Sequence, residues 1–149
     1  MRALIQRVRH GSVTVADQTV GEIGAGLMVL LGITHSDTVE QADQLAAKTV
    51  NLRVFDDDQG KMNRSVQDIN GGILVVPQFT LYADLKGARR PNFVAAARPE
   101  VAEPLFDHYV ARLRALAPIP VATGLFRAAM QVSIVNDGPV TIWLDSTLL

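Results

Sequence analysis

Two short segments gather the residues of this chain best suited to chemistry. Pro77-Gln78-Phe79-Thr80-Leu81 follows a wholly apolar run, Ile73-Leu74-Val75-Val76, and opens into polar residues. Asn136-Asp137-Gly138-Pro139-Val140-Thr141 sets a Gly-Pro pair between two strand-like runs, Met130–Val135 and Val140–Leu144. Proline has no N–H to give a sheet ladder, so such a pair ordinarily marks a turn. Thr80 offers a hydroxyl that could attack a carbonyl, yet no base accompanies it. A structural or orienting role is the competing reading.

Conventional side-chain catalysts are missing elsewhere. His10, His35 and His108 have no carboxylate or histidine at metal-ligand spacing and suit surface or capping positions. Asp56-Asp57-Asp58-Gln59-Gly60 has the look of a calcium loop, but its glycine is misplaced and no glutamate closes it, so it reads as a turn. Gly24-Ala25-Gly26 lacks the third glycine and the following helix of a dinucleotide site. Ser12, Ser36, Ser65, Ser133 and Ser146 have no nucleophile-elbow context. The absence of cysteine excludes disulfides and thiolate chemistry and agrees with a cytoplasmic protein.

The elements that must position these segments follow from periodicity. Arg2–Val15 reads as a strand, bent near His10-Gly11. Thr19–Ile23 and Leu27–Ile33 read as a hairpin around Gly24-Ala25-Gly26. In Thr38–Asn51 the residues Val39, Ala42, Leu45, Ala46 and Thr49 recur at helical spacing, and Thr38 with Gln41 makes a capping box. Leu52–Phe55 reads as a short strand, Asp56–Gly60 as a turn, and Ile73–Val76 as a strand buried on both faces.

Pro99, Glu100 and Glu103 signal a second helix, with the stripe Ala102, Leu105, Phe106, Tyr109, Val110 and Leu113. Pro104 removes one backbone hydrogen bond and predicts a start near Glu103 or a kink. Pro118-Ile119-Pro120 ends the helix, and the last two strands flank Gly138-Pro139. The expectation is a single compact domain over residues 1–149, α/β with a mixed sheet and two main helices.

Bulk properties narrow the partners. Hydrophobic residues make up 48%, enough for a core, but no apolar run approaches the roughly 20 residues of a membrane span. The N-terminus lacks the long apolar segment of a secretory signal. A net charge of −1 argues against coating nucleic acid through a broad basic field. RNA, if bound at all, would be gripped over a small part. Lys86, Arg89 and Arg90 form the densest basic cluster, in a glycine-containing loop open to either solvent or phosphate.

Taken together, the two segments resemble the signature motifs of the D-aminoacyl-tRNA deacylases, a Ser-Gln-Phe-Thr-Leu segment and an Asn-x-Gly-Pro-Val-Thr segment. The second is complete here; the first carries Pro77 in place of serine. The likeness extends to Gln6-Arg7-Val8, Gly21-Glu22-Ile23-Gly24, Gly60-Lys61-Met62-Asn63, Arg90-Pro91, Thr123-Gly124 and Met130-Gln131-Val132. It implies a barrel-like sheet, a homodimer, no metal and no organic cofactor. The implied substrate is the aminoacyl-tRNA 3′ end. Hydrolysis would rely on main-chain atoms, with the terminal adenosine's 2′-hydroxyl assisting water.

In this resemblance Gly138 and Pro139 form a cis pair that enters the partner's active site, where their carbonyl oxygens leave no room for a side chain in the L direction. Such exclusion at the α-carbon works for any side chain and spares only glycine, so glycyl-tRNA should also be cleaved. Arg7 would brace that loop, or else be an exposed strand charge. Gln78 and Phe79 would offer backbone N–H groups to the substrate carbonyl. Ala96, Ala97, Phe126 and Met130 would line the adenosine pocket; for Phe126, stacking on a base and plain core packing stay open. Pro77 also matches a related branch with a Pro-Gln-Ala-Thr-Leu segment, which edits L-amino acids on mismatched tRNA, whereas Phe79 and Val140 match the chiral proofreader.

Overall fold

A computed structural model describes residues 1–149. In chain order the elements are β1 (Arg2–Val15), β2 (Gln18–Ile23), β3 (Gly26–Gly32), α1 (Val39–Asn51), β4 (Phe55–Asp56), β5 (Met62–Arg64) and β6 (Gly72–Pro77). A 3-10 turn at Phe79–Tyr82 precedes α2 (Pro99–Leu116), β7 (Val121–Thr123) and β8 (Gln131–Asp145). The main sheet runs β2-β1-β3-β6-β7, with β8 along the other edge of β1. β1 is antiparallel to β2, β3 and β8, while β3–β6 and β6–β7 are parallel. β4 and β5 form a separate small sheet.

This sheet is mixed and curls into a nearly closed barrel. At the seam β2 approaches β7 so closely that a Cβ on Gly21 would lie 2.5 Å from the carbonyl oxygen of Thr123. Alternate residues of the buried strands face two cores. Met28, Leu74 and Val76 turn into the barrel with Val8, Val13 and Ile23, whereas Leu27, Val29, Ile73 and Val75 face the helices. Both faces of β6 are therefore buried, as its unbroken apolar run predicts.

The helices form where the periodicity places them. Thr38 caps α1 and exchanges hydrogen bonds with Gln41 in the expected box. The six-residue apolar stripe of α2 is buried. The helices meet through a buried hydrogen bond between Thr49 and Tyr109 at 2.8 Å, and through His108 against Asp43 at 2.8 Å. α2 starts at Pro99 and runs through Pro104, which sits only one and a half turns in and costs it a single ladder bond.

Long-range pairing departs from expectation in three places. β2 and β3 form no hairpin; each pairs with a different half of β1. The hairpin is instead β1–β2, closed by Ala16 and Asp17, both at positive φ as a two-residue turn of this kind requires. The short strand near Leu52 starts only at Phe55. Third, Gln131–Asp145 is one strand rather than two, and Gly138-Pro139 is no hairpin turn. Val8 pairs with Asn136 and Gln6 with Thr141, so Asp137, Gly138, Pro139 and Val140 stand opposite Arg7 alone and bulge from the ladder. The register of β1 breaks on both sides of Val8, between Gln6 and Val8 and between Val8 and His10, so the expected bend near His10-Gly11 starts earlier; Ala3 and Ile5 face the helix-side core, whereas Val8 and Val13 face the barrel.

Candidate active site

The parallel strands β3 and β6 end side by side at Leu31 and Pro77, and a cavity of about 560 Å³ opens beyond them. Openings at the carboxyl ends of parallel strands are where α/β sheets commonly bind ligands. Pro77, Gln78, Phe79, Ala96, Ala97, Phe126 and Met130 all line it, and twelve of its sixteen lining residues are hydrophobic. Three stretches distant in sequence are held there by backbone bonds. Gln78 N–H donates to Leu31 O, Ala97 N–H to Ile33 O and Gly124 N–H to Val75 O, each at 2.8–2.9 Å.

One expected donor is already committed. Because Gln78 N–H continues the β3–β6 ladder, it is not free for a substrate carbonyl. The expectation for Gln78 fails for that reason, and its amide side chain instead donates to the Thr80 hydroxyl. Phe79 opens the 3-10 turn whose first internal bond runs from Leu81 N–H to Gln78 O, so the Phe79 N–H has no partner within the turn. Phe79 is 57% exposed, and its ring meets Phe93 edge-on, centroids 5.0 Å apart.

Phe126 is half-buried, with one side on the cavity and an edge-to-face contact to Phe106 at 6.1 Å. It thus serves as wall and packing partner together. Met130 is held close to the chain, since a Cβ on Gly124 would come within 2.7 Å of its sulfur. Phe93 and Arg127 also line the cavity and had no motif to mark them. Arg127 adopts φ of 62° and pairs with Glu100 at 3.6 Å.

Arg7, Thr80, Gly138 and Pro139 do not line this cavity. The bulge of β8 is organised separately. The Gly138–Pro139 bond is cis. Arg7, only 9% exposed, donates from Nε to Asp137 O at 2.8 Å and from Nη1 to Val54 O at 2.7 Å. Asn136 closes the neck of the bulge: Val140 N–H donates to its Oδ1 at 2.8 Å, and its Nδ2 donates to Val140 O at 3.3 Å. Gly138 has φ of 141°, and a Cβ there would stand 2.7 Å from Val140 Cγ2 and 2.9 Å from Val140 N. Asn136 was legible as a motif letter, and the self-bonding habit of asparagine in turns is the signal for its clamp.

No group of three or more histidines, aspartates or glutamates is arranged to hold a metal ion. His10 lies 3.3 Å from Glu22, and His35 Nε2 lies 2.6 Å from Val94 O. None of the histidines lines the cavity. At the end of the 3-10 turn, burial and then the charge of Asp37 push the Tyr82 hydroxyl well above the ordinary phenol range, so it keeps its proton. What the cavity offers is an apolar enclosure with a backbone turn at its mouth.

Comparison with known proteins gives a concordant result. The sequence profile described as D-Tyr-tRNA(Tyr) deacylase matches residues 4–145. The D-aminoacyl-tRNA deacylase of Chloroflexus aurantiacus is 58% identical over 149 residues, covering 100% of this chain and 92% of that protein. That of Chloroherpeton thalassium is 51% identical over 146 residues, covering 98% and 96%. The solved structure of a c-Myc DNA Unwinding Element Binding Protein superimposes with a TM-score of 0.92 at 44% identity, covering 97% and 98% of the two chains.

Proposed function

The chain belongs to the D-Tyr-tRNA(Tyr) deacylase family, and from that premise we propose how its residues divide the hydrolysis of D-aminoacyl-tRNA. It is a hydrolase of the aminoacyl-tRNA ester, releasing free tRNA and free amino acid. One observation carries the residue-level reading: Pro77–Phe79, Ala96–Ala97 and Phe126–Met130 converge from distant stretches on one apolar cavity. Its volume suits a ligand of nucleoside size. The terminal adenosine lies against Phe126, as unpaired bases do on aromatic rings. The ester carbonyl sits at the mouth beside Phe79 N–H, which stabilises the developing oxyanion.

Water attacks the carbonyl carbon, and the bond to the ribose 3′ oxygen breaks. That oxygen leaves with a proton, and the 2′-hydroxyl orients the water. Exclusion of water elsewhere and fixed geometry supply the rest of the acceleration. No side-chain base is required, which fits a cavity without a histidine or carboxylate in its wall.

Chirality is read by Gly138 and Pro139. They lie outside the cavity of their own chain, so the filter needs a homodimer that sets this loop over the cavity of the partner subunit. In favour of such a dimer, β8 has an unpaired outer edge and exposes Ile134, Val135 and Trp143. The loop's carbonyl groups exclude an L side chain at the α-carbon, whatever that side chain is. Glycine escapes exclusion, so glycyl-tRNA is a second substrate. The site of action is the cytoplasm, where translation uses these tRNAs.

An editor of L-amino acids on mismatched tRNA competes with this reading and rests on Pro77. Deacylation of matched D-tyrosyl-, L-tyrosyl- and glycyl-tRNA by the purified protein separates the two. Cleavage of the D and glycyl forms with the L form spared is expected; cleavage of the L form overturns the filter, and turnover of none overturns the enzyme.

A further inference from the structure

We propose that the loop Asp84–Asn92 is a phosphate clamp for the RNA strand whose 3′ end enters the cavity. The clamp rests on the deacylase reading of that cavity and extends it to RNA beyond the terminal nucleoside. Lys86, Arg89 and Arg90 fall within five residues of one another, in a chain whose net charge is −1. All three are exposed, and none takes part in an ion pair. The loop's one carboxylate, Asp84, is occupied by the N–H of Lys86 at 2.8 Å.

The loop is braced. Asp84 and Asn92 exchange two backbone hydrogen bonds at 2.9 and 3.0 Å, Ala88 N–H donates to Leu85 O at 3.1 Å, and Gly87 turns the chain at φ of 71°. Its feet are the cavity rim itself. One strand leaves from the turn at Phe79–Tyr82, and the other returns into Phe93, which touches Phe79. Arg90 is three residues from Phe93, so its Cα lies at most about 11 Å along an extended chain from the rim. A strand whose terminal nucleoside fills the cavity must carry its preceding phosphates past this rim. Three unpaired cations against a single carboxylate on a braced loop there match a polyanion, and guanidinium groups bind phosphate in a bidentate manner.

The test uses fluorescence anisotropy with a labelled RNA hairpin bearing a single-stranded CCA 3′ end, titrated with the full-length protein. For wild type, contact with three phosphates of a single strand gives a slope of log K against log salt of roughly −2, about a 20-fold loss between 50 and 200 mM KCl. The variant K86Q/R89Q/R90Q is expected to lose that slope and to bind about tenfold more weakly at 50 mM. R89K/R90K keeps the charge and should keep the slope. These side chains are exposed, so the melting temperature of the variants should match that of wild type. An unchanged slope and affinity in the triple variant overturns the clamp. Loop-dependent hairpin binding without deacylation would uphold the clamp and overturn the deacylase reading. Deacylation with loop-independent binding would sink the clamp alone.

Discussion

Arg7 is the one residue of β1 opposite the excursion of β8, and its Nε donates to the carbonyl oxygen of Asp137 at 2.8 Å. The same guanidinium reaches Val54 O at 2.7 Å and lies 3.5 Å from Asp56. One buried cation therefore ties the bulge to the segment that follows α1. The bulge costs the ladder its local pairing, and Arg7 replaces that pairing with a fork of directed bonds.

Arg7→Lys tests that tie, because an ammonium cannot hold two carbonyls in the guanidinium's fixed geometry. The expected loss of kcat/KM on D-aminoacyl-tRNA is about 100-fold, the scale of a small misplacement of a positioning group. Stability should fall by about 2 kcal/mol, measured by urea denaturation. Wild-type kcat/KM in this variant would remove the bracing role.

Gly138→Val adds a side chain where the Cβ alone would crowd Val140 N at 2.9 Å and where φ is 141°. Because the residue is exposed, the strain should cost about 1–3 kcal/mol and leave the fold intact by circular dichroism. Deacylation should be crippled nevertheless. Turnover of D-tyrosyl-tRNA at the wild-type rate would contradict a backbone filter.

Thr80→Ala separates backbone chemistry from a nucleophile. The hydroxyl is exposed, outside the cavity wall and bonded to the Gln78 amide. Activity is expected within about tenfold of wild type. A loss of about 10²–10⁴-fold with an unchanged melting curve would instead give Thr80 a part in proton transfer.

Tyr109→Phe probes the helix pair. Thr49 donates to Leu45 O, so the Tyr109 hydroxyl is the donor to the Thr49 oxygen in a fully buried site. Losing it leaves that oxygen short of a partner, at about 1–2 kcal/mol, and should lower Tm by about 2–6 °C. Deacylation measured well below Tm should be unaffected.

Asp145→Asn should change the acid limb of stability. Burial works to raise the Asp145 carboxyl, but bonds from Thr147 and from Arg2 at 3.0 Å outweigh it and hold the group below its ordinary value. A depressed folded value favours the folded state above the ordinary value of about 3.9, and this favour fades as pH falls through the folded one. The variant should melt lower at pH 7 and lose less stability between about pH 4 and 2. Parallel melting curves across that range would sink the assignment.

Local signals were legible from residues alone. The Thr38–Gln41 box, the α2 stripe and the apolar run of β6 each depend on neighbours within a few positions, and each element formed accordingly. The two motifs also marked the segments that matter, since Pro77–Phe79 joins the cavity and Asp137–Val140 forms the bulge. Sequence by itself therefore determined the helices, the buried strand and the family.

Strand partners were a different matter. Hydrophobic alternation says which face of a strand is buried but not which strand lies beside it. Only the tertiary structure decided that β2 and β3 divide β1 between them, and that Gly138-Pro139 is a bulge within one strand. It also decided that Gln78 N–H belongs to Leu31, which no feature near Gln78 announces. Phe93 joins Phe79 at the rim because a loop of many residues returns to its own foot. A backbone donor is available to a substrate only if no distant carbonyl has claimed it, and that is settled when the sheet closes.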